Sequence, residues 1–175
     1  MDGVNPRANT SKTTPSPVTP ATLAMAAAGI AFTVHEYHHD PSVTAYGAEA
    51  AAVLAVDPAR VFKTLVVATD RVDDKGLVVA VVPVSQRLDV KALAAAVGCK
   101  RATLADGQVA ERMTGYRVGG ISPIGQKRPL TTVLDDSMTT LATVLVSGGR
   151  RGMDVEVAPG DLQTITRALF APIAR

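Results

Sequence analysis

The chain of 175 residues has the length of one ordinary domain, and 47% hydrophobic residues are enough to build a core. Aromatic residues make up only 3%, so valine, leucine, isoleucine and alanine must form most of that core. The formal charge, 18 minus 16 or +2, is too small to indicate a nucleic-acid-binding protein by itself. The one cysteine excludes an internal disulfide and fits a reducing compartment.

No apolar run reaches the ~18 residues that a membrane span needs, and the N-terminus lacks the pattern of a signal peptide. The sequence therefore predicts a cytoplasmic protein with no membrane segment. Residues 1–18 are rich in Thr, Ser, Pro and Asn, so we expect a flexible tail there. The folded domain is expected to span residues 19–175.

Helices and strands alternate in the first part of the predicted domain, where Thr19-Pro20 marks the start of the first helix. A hairpin is predicted around Asp70–Lys75, and Pro83 indicates that its second strand ends at a sheet edge or a bulge. The predicted strands are Ile30–Tyr37, Val61–Thr69 and Gly76–Val84. The predicted helices are Ala21–Ala28, Ala48–Ala55, a helix capped by Asp89 that runs through Val97, and Asp106–Met113.

Strands dominate the last third of the chain. The pattern predicts strands at Thr131–Leu134, Ala142–Val146 and Met153–Val157, with a glycine-rich loop at Ser147–Gly152 between the last two. Asp161 is predicted to cap a final helix that runs to about Leu169. So many strands with short connections favour a mixed α/β fold with a curved or barrel-like sheet over a doubly wound parallel sheet.

The segment Gly115–Pro129, GYRVGGISPIGQKRP, has an unusual density of glycine, proline and cations. Gly119-Gly120 and Gly125 allow backbone conformations that a Cβ would forbid, and the free N–H groups of such a loop suit a phosphate or an oxyanion. The segment matches neither of the common phosphate-binding glycine patterns. A tight corner and a binding loop therefore remain equally good interpretations.

Three familiar catalytic patterns are not supported. His35–His39 reads HExxH, but its flanks alternate as in a strand, which would separate the two histidines by about 13 Å, too far to share a zinc ion. Ser122 lacks the GxSxG context of a nucleophile, and Pro123 cannot donate an oxyanion N–H. Cys99 has no identifiable partner histidine.

Lys63 lies inside the apolar strand VFKTLVV, where a lysine is costly unless its ammonium reaches water or an anion. It is either a lysine that extends to solvent, which alternation slightly favours, or a cation that lines a pocket. Tyr37 faces away from the apolar side of its own strand and is a second candidate for a cavity wall. Three basic pairs, Lys100-Arg101, Lys127-Arg128 and Arg150-Arg151, would suit phosphates if they shared one face, although scattered surface charges are commoner.

Four segments together resemble the YbaK family of free-standing aminoacyl-tRNA deacylases, relatives of the editing domain of prolyl-tRNA synthetase. They are VFKTLV, VVPVSQRLDVKALA, TGYRVGGISPIGQKRPL and VSGGRRGMDVEVAPGDL, in the family's order, and the likeness runs from about Ala21 to Arg175. The resemblance implies a mixed sheet curled into a partly open barrel with helices outside. It implies removal of cysteine from Cys-tRNA(Pro), without cofactor or metal, beside prolyl-tRNA synthetase as a partner.

The resemblance also implies a set of site residues. Lys63, Gly119 and Gly120 would act on the reacting ester, and the basic residues would face the RNA. The implied pocket residues are Tyr37, Tyr46, Thr64, Ser147 and Asp154, and the implied RNA contacts are Lys127, Arg128, Arg150 and Arg151. Tyr46 departs from the phenylalanine expected in close relatives, which changes the polarity of the pocket.

In the family, the thiol of the substrate is thought to attack its own carbonyl, which agrees with the lack of a protein nucleophile above. Two alternatives stay open: a relative that clears Ala-tRNA(Pro) with water, and a module that binds tRNA or the synthetase without turnover.

Overall fold

The computed structural model describes residues 17–175, so most of the tail expected at residues 1–18 lies outside the described residues. Its helices are α1 (Pro20–Ala27), α2 (Tyr46–Val53), α3 (Val90–Ala96), α4 (Gly107–Thr114) and α5 (Pro159–Thr166). Its strands are β1 (Phe32–Glu36), β2 (Val61–Thr69), β3 (Leu77–Pro83), β4 (Ala102–Leu104), β5 (Thr131–Asp135), β6 (Val144–Arg150), β7 (Met153–Val157) and β8 (Leu169–Ala171). None of these helices is long and apolar enough to cross a membrane.

All eight strands of the described chain belong to one sheet in the order β1-β7-β6-β2-β3-β5-β8, and β4 pairs with β2 beside this path. β2 pairs in parallel with β6, β3 with β5 and β5 with β8, whereas the other pairs are antiparallel. The predicted mixed α/β fold and the hairpin of β2 and β3 are therefore confirmed.

Both faces of the central strands are buried, which explains why β2 and β3 read as nearly continuous apolar runs. On one face, Phe62 and Val81 join the main core, to which α1, α4 and α5 contribute. On the other face, Val67 and Val82 pack with Leu93 of α3. A separate small cluster forms where α2 covers the starts of β2 and β6.

The predicted start of the first helix is confirmed, and its cap also ties α1 to the sheet. Thr19 and Thr22 form a reciprocal capping box, which satisfies backbone N–H groups at the helix start. The Thr19 hydroxyl also donates to the carbonyl of Gly148 in β6 at 2.6 Å.

The segment 115–129 is anchored as a corner. The Tyr116 hydroxyl donates to the Ile124 carbonyl at 2.6 Å, and Ile121 and Ile124 are both buried. Gly125 has φ +67°, and an added Cβ would lie 2.5 Å from the Pro20 carbonyl oxygen. The corner interpretation is therefore confirmed. Val118, Gly119 and Ile121 of this corner line a cavity, and the binding-loop interpretation stays a prediction for them.

The prediction of a loop at Ser147–Gly152 is wrong for most of these residues. β6 continues through Arg150 with a register irregularity between Ser147 and Arg150, so only Arg151 and Gly152 are left for the turn. Cβ atoms at Gly148 and Gly149 would lie 2.8 Å from Met153 and Tyr116 side-chain atoms, respectively. The glycines therefore permit close packing within a strand.

The last predicted helix also needs correction. It begins after Ala158, with Pro159 in its first turn, and ends at Thr166; Asp161 lies in that first turn and is not the cap. Leu169 belongs to β8, which the sequence reading missed, as it missed β4. Pro83 does not mark a sheet edge, because β3 is internal; pairing with β5 ends at Val81, before the proline.

Replacing Gly125 by Ala should lower the free energy of unfolding by more than about 1 kcal/mol, because alanine disfavours positive φ and its Cβ would press on Pro20. Gly160→Ala is the matched control, since its Cβ would contact nothing within 4 Å and alanine favours a helix. That change should raise stability by about 0.5–1 kcal/mol. Urea denaturation of both variants measures this, and equal stability of Gly125→Ala and wild type would contradict the close approach.

Candidate active site

β2 changes its neighbour along one edge, and this leaves a gap in the sheet. Val61 and Phe62 pair with β6, whereas Val67–Thr69 pair with β4. Residues 63–66 between them have no strand beside that edge, although their other edge pairs with β3. A cavity of about 460 Å³ occupies the gap. Its wall includes these residues predicted for the site: Tyr37, Tyr46, Lys63, Thr64, Gly119, Ser147 and Asp154.

A buried carboxylate marks the polar end of the cavity. Asp154 of β7 lies opposite Ser147 of β6 and His35 of β1, and it is only 6% exposed. Burial raises the pKa of Asp154 to about 6, partly countered by His35, and no described residue donates a hydrogen bond to this carboxylate. The same environment raises the pKa of Tyr37, first by burial and then through Asp154 and Glu49. At this end of the cavity, no cationic group of the described chain contacts the Asp154 carboxylate.

The Thr64 hydroxyl also lacks a partner. Its Oγ1 is buried and forms no hydrogen bond within residues 17–175. A buried hydroxyl without a partner costs about 1–3 kcal/mol, so the Thr64 hydroxyl lowers the stability of the unliganded chain.

Lys63 combines the two interpretations that the sequence left open. Its side chain lines the cavity, and its Nζ leaves the strand to donate to the Gln86 carbonyl at 2.7 Å. Burial lowers the pKa of Lys63, and the nearby positive charge of Arg87 lowers it further. The bond to Gln86 uses one of the three N–H donors of the ammonium, which leaves two for other partners.

An arginine and a tyrosine stack over the opening of the cavity. The Arg151 guanidinium lies 5.0 Å from the centre of the Tyr46 ring and donates two hydrogen bonds to the Val118 carbonyl, at 3.0 and 2.8 Å. Gly119 passes beneath this pair with φ +88°, and an added Cβ would lie 2.8 Å from both side chains. The backbone N–H of Gly119 donates to no described residue, so it is free to face a ligand.

Five other predicted residues do not line the cavity. The N–H of Gly120 is used by the Arg117 carbonyl at 2.9 Å, and an added Cβ would meet the backbone of Arg150, so Gly120 supports the corner. Arg150 forms an ion pair with Glu36. Lys127 and Arg128 are exposed in the corner segment. Arg151 is committed to Tyr46 and Val118, as described above.

The apolar rim of the cavity was not predicted. Leu104 of β4 is 59% exposed and Val118 is 37% exposed, although both line the opening. Val118 is nevertheless fixed, because its N–H donates to Glu111 Oε1 at 2.9 Å and its carbonyl accepts from Arg151. No sequence signal marks Leu104, since a strand of three residues has no readable period.

The histidines of the HExxH match contact different carboxylates. His35 Nε2 lies 2.8 Å from Glu156 Oε2, and His39 Nδ1 lies 2.6 Å from Glu49 Oε2. Ser122 is fully buried in the corner, and the Cys99 thiol lies 3.4 Å from the Arg101 carbonyl; neither lines the cavity.

Asp154→Asn should stabilise the unliganded protein above pH 6. The folded-state pKa of about 6 exceeds the ordinary 3.8, so the folded form binds more protons between pH 4 and 6 and wild-type stability falls as the pH rises through this window. At about 1.4 kcal/mol per pKa unit, the loss approaches 3 kcal/mol. Urea denaturation of both proteins at pH 4 and pH 7.5 tests this, and a variant that is less stable at pH 7.5 would contradict it.

The known proteins most informative for this cavity are editing enzymes. The family described as "Aminoacyl-tRNA editing domain" matches residues 39–165. A protein of Enterococcus faecalis named "Putative Cys-tRNA(Pro)/Cys-tRNA(Cys) deacylase EbsC" is 40% identical over 120 residues, which cover 69% of this chain and 71% of that protein.

Solved structures agree with this match. A protein described as "a putative trans-editing enzyme for prolyl tRNA synthetase" is 25% identical with a TM-score of 0.76, covering 89% of this chain and 95% of its own. The hypothetical protein APE2540 is 26% identical with a TM-score of 0.78, covering 90% and 100%. The resemblance found in the sequence motifs is confirmed, and the chain belongs to the aminoacyl-tRNA editing domain family.

Proposed function

We propose that this aminoacyl-tRNA deacylase removes cysteine from mischarged Cys-tRNA(Pro), with the thiol of the substrate as the nucleophile. The composition of the cavity wall carries this assignment. Among the described residues, the wall holds a buried carboxylate, a lysine and several hydroxyls, but no cysteine and no histidine. A serine or threonine hydroxyl is a weak nucleophile unless a base accepts its hydrogen bond, and no described residue accepts one from Ser147 or Thr64.

The polar end of the cavity suits an aminoacyl group. Asp154 would accept the α-ammonium, which supplies the counter-charge that this carboxylate otherwise lacks. The Thr64 hydroxyl would gain a hydrogen-bond partner, and Ser147 and Tyr37 would bound the small side chain. The relative EbsC is named as acting on cysteinyl-tRNA, which agrees with a cavity of this size and polarity.

The free Gly119 N–H and the Lys63 ammonium would stabilise the charge that develops on the ester oxygen. An aminoacyl ester is already activated, so positioning and oxyanion stabilisation supply most of the catalysis. The fixed apolar rim of Leu104 and Val118 would hold the flat base of the terminal adenosine. Lys63 would alternatively bind the phosphate of that nucleotide, because both groups lie near the same ester.

The proposed chemistry needs no protein nucleophile. The cysteine sulfur bonds to the ester carbonyl carbon, the bond from that carbon to the ribose oxygen breaks, and the thiol proton ends on the ribose oxygen. The products are a cyclic thiolactone and tRNA with a free terminal hydroxyl, and water then opens the thiolactone. On this scheme the first step is an intramolecular acyl transfer from the ribose oxygen to the cysteine sulfur, and the second is a hydrolysis.

The cavity alone cannot select tRNA(Pro). We propose that prolyl-tRNA synthetase presents the mischarged tRNA, and that the reaction takes place in the cytoplasm, where tRNA is charged. The solved relative described as a trans-editing enzyme for prolyl-tRNA synthetase supports this partner. A complex with the synthetase would supply the discrimination between tRNAs that a pocket for one amino acid lacks.

Lys63→Ala should lower kcat/KM for Cys-tRNA(Pro) by roughly 10²–10³-fold, the cost of removing one oxyanion-stabilising group. Deacylation of Cys-tRNA(Pro) and Ala-tRNA(Pro) by wild type and variant measures this. Thiol-assisted cleavage requires release of cysteine and no release of alanine. Release of alanine would indicate attack by water, and binding without release from either substrate would indicate a module without turnover.

Ser122→Ala and Cys99→Ala should each keep kcat within about twofold of wild type, because neither side chain lines the cavity. These variants are matched controls for Lys63→Ala, since they remove two side chains that have the chemistry of a nucleophile but lie outside the cavity wall. Loss of activity in either variant, with an unchanged unfolding midpoint, would overturn the thiol-assisted scheme.

Thr64→Val should separate stability from activity. Valine keeps the shape but removes a buried hydroxyl that has no partner in the described chain, so the unliganded protein should gain about 1 kcal/mol. The same change should lower kcat/KM for Cys-tRNA(Pro), while Thr64→Ser, which keeps the hydroxyl, should retain activity. Urea denaturation and deacylation kinetics measure both effects. A Thr64→Val variant with full activity would remove Thr64 from the substrate contacts.

A further inference from the structure

A second groove lies beside the catalytic cavity, at the start of β4, whereas the cavity lies at its end. It has a volume of about 610 Å³ and runs between the end of β2 and α3. Three cations line it, Lys91, Lys100 and Arg101, together with the single acidic residue Asp70. None of the cations lies in the wall of the catalytic cavity.

The cations of this groove are not neutralised by ion pairs within residues 17–175, whereas Arg60, Arg71 and Arg150 each contact a carboxylate. Asp70 is occupied in another way, because its Oδ1 accepts the backbone N–H groups of Lys100 and Arg101 at 2.9 and 3.1 Å. These bonds fix the backbone of the basic pair at the start of β4. The side chains of both residues therefore extend from a rigid base.

The groove and the catalytic cavity share one short strand. Ala102 and Thr103 line the groove, and Leu104 and Ala105 line the cavity. At about 3.3 Å per residue, Arg101 lies about 10 Å along β4 from the exposed rim at Leu104. A chain that leaves the cavity over Leu104 in this direction meets the basic residues next.

We propose that the groove of Lys91, Lys100 and Arg101 binds the backbone phosphates of the RNA strand whose 3′ end occupies the cavity. This inference rests on the proposed function, since it takes the terminal adenosine of an aminoacyl-tRNA to lie at the rim. A positively charged groove that follows the backbone is the usual arrangement for binding a single nucleic-acid strand. Contacts to phosphate carry no sequence information, so the groove would bind RNA without selecting tRNA(Pro).

The test is a double variant, Lys100→Ala/Arg101→Ala, which keeps the backbone bonds to Asp70. A single-stranded RNA with the 3′ sequence of tRNA, bearing no amino acid, is titrated at several salt concentrations. Two lost phosphate contacts should weaken binding roughly tenfold and flatten the slope of log Kd against log salt by about 0.7 per contact. Arg112→Ala is the matched control: this exposed cation on α4 lines neither the cavity nor the groove, and its removal should leave the slope unchanged.

Kinetics then separate the groove from the catalytic cavity. The double variant should raise KM for Cys-tRNA roughly tenfold with kcat unchanged, and should cleave the cysteinyl ester of adenosine, which has no phosphate, as fast as wild type. Equal RNA affinity and salt slope in wild type and the double variant would overturn the proposal. A defect on the adenosine ester would also overturn it, as would a defect seen only when prolyl-tRNA synthetase is added, since the groove would then bind protein. A wild type without deacylase activity would refute the proposed function, and the RNA titration would still decide the role of the groove.

Discussion

The change of neighbours along β2 is the constraint on which the site depends. A strand inside a sheet normally satisfies its peptide groups on both edges, and an unpaired buried peptide group is costly. β2 gives up this pairing at residues 63–66 between β6 and β4, where the Val66 carbonyl accepts a hydrogen bond from the N–H of Ala105 at 2.9 Å. Lys63, which interrupts an apolar strand, and Thr64, whose hydroxyl has no partner within the described chain, lie in this same interval.

The buried polar groups at one end of the cavity lower the stability of the unliganded protein. Within residues 17–175, Asp154 is buried without a hydrogen-bond donor, and the Thr64 hydroxyl is buried without a partner. In a structural ion pair such as Arg60 with Glu156, the protein itself completes the group. A ligand with an ammonium group and polar oxygens would supply hydrogen-bond partners to both groups. The two buried groups that lower the stability of the free protein would therefore strengthen ligand binding.

Sequence patterns predicted the helices and strands whose conformation depends mainly on the local sequence. β2 was predicted with its observed bounds, because a run of nine mainly apolar residues is long enough to read, and Thr19 and Asp89 are true caps. β4 and β8 were missed, since three residues show no period and their pairing is set by tertiary contacts. The glycines of β6 were wrongly predicted to form a loop. Glycine is required there because the side chains of Met153 and Tyr116 pack against the strand, and these contacts exist only in the folded chain.

The site divides in the same way. Lys63 stood out because it interrupts an apolar strand, and Tyr37 because it faces away from the apolar side of its strand. The three basic pairs, in contrast, look alike in the sequence. Only the fold separates them: Arg150 has Glu36, Arg151 has Tyr46 and Val118, and Lys100-Arg101 is held by Asp70 through its backbone. The rim at Leu104 was beyond the sequence because it depends on the unpredicted β4.

Two glycines decide how much selectivity the cavity can supply by shape. A Cβ at Gly47 would overlap Val84 Cγ1, and one at Gly119 would press on Tyr46 and Arg151, so α2 and the corner are drawn close over the opening. This close packing narrows the cavity beside Tyr46. It cannot separate cysteine from alanine or serine, because a difference of one small group is worth only about 1–3 kcal/mol. A reaction that needs the substrate's own thiol makes that separation chemically, and the choice of tRNA is then left to surfaces outside the cavity.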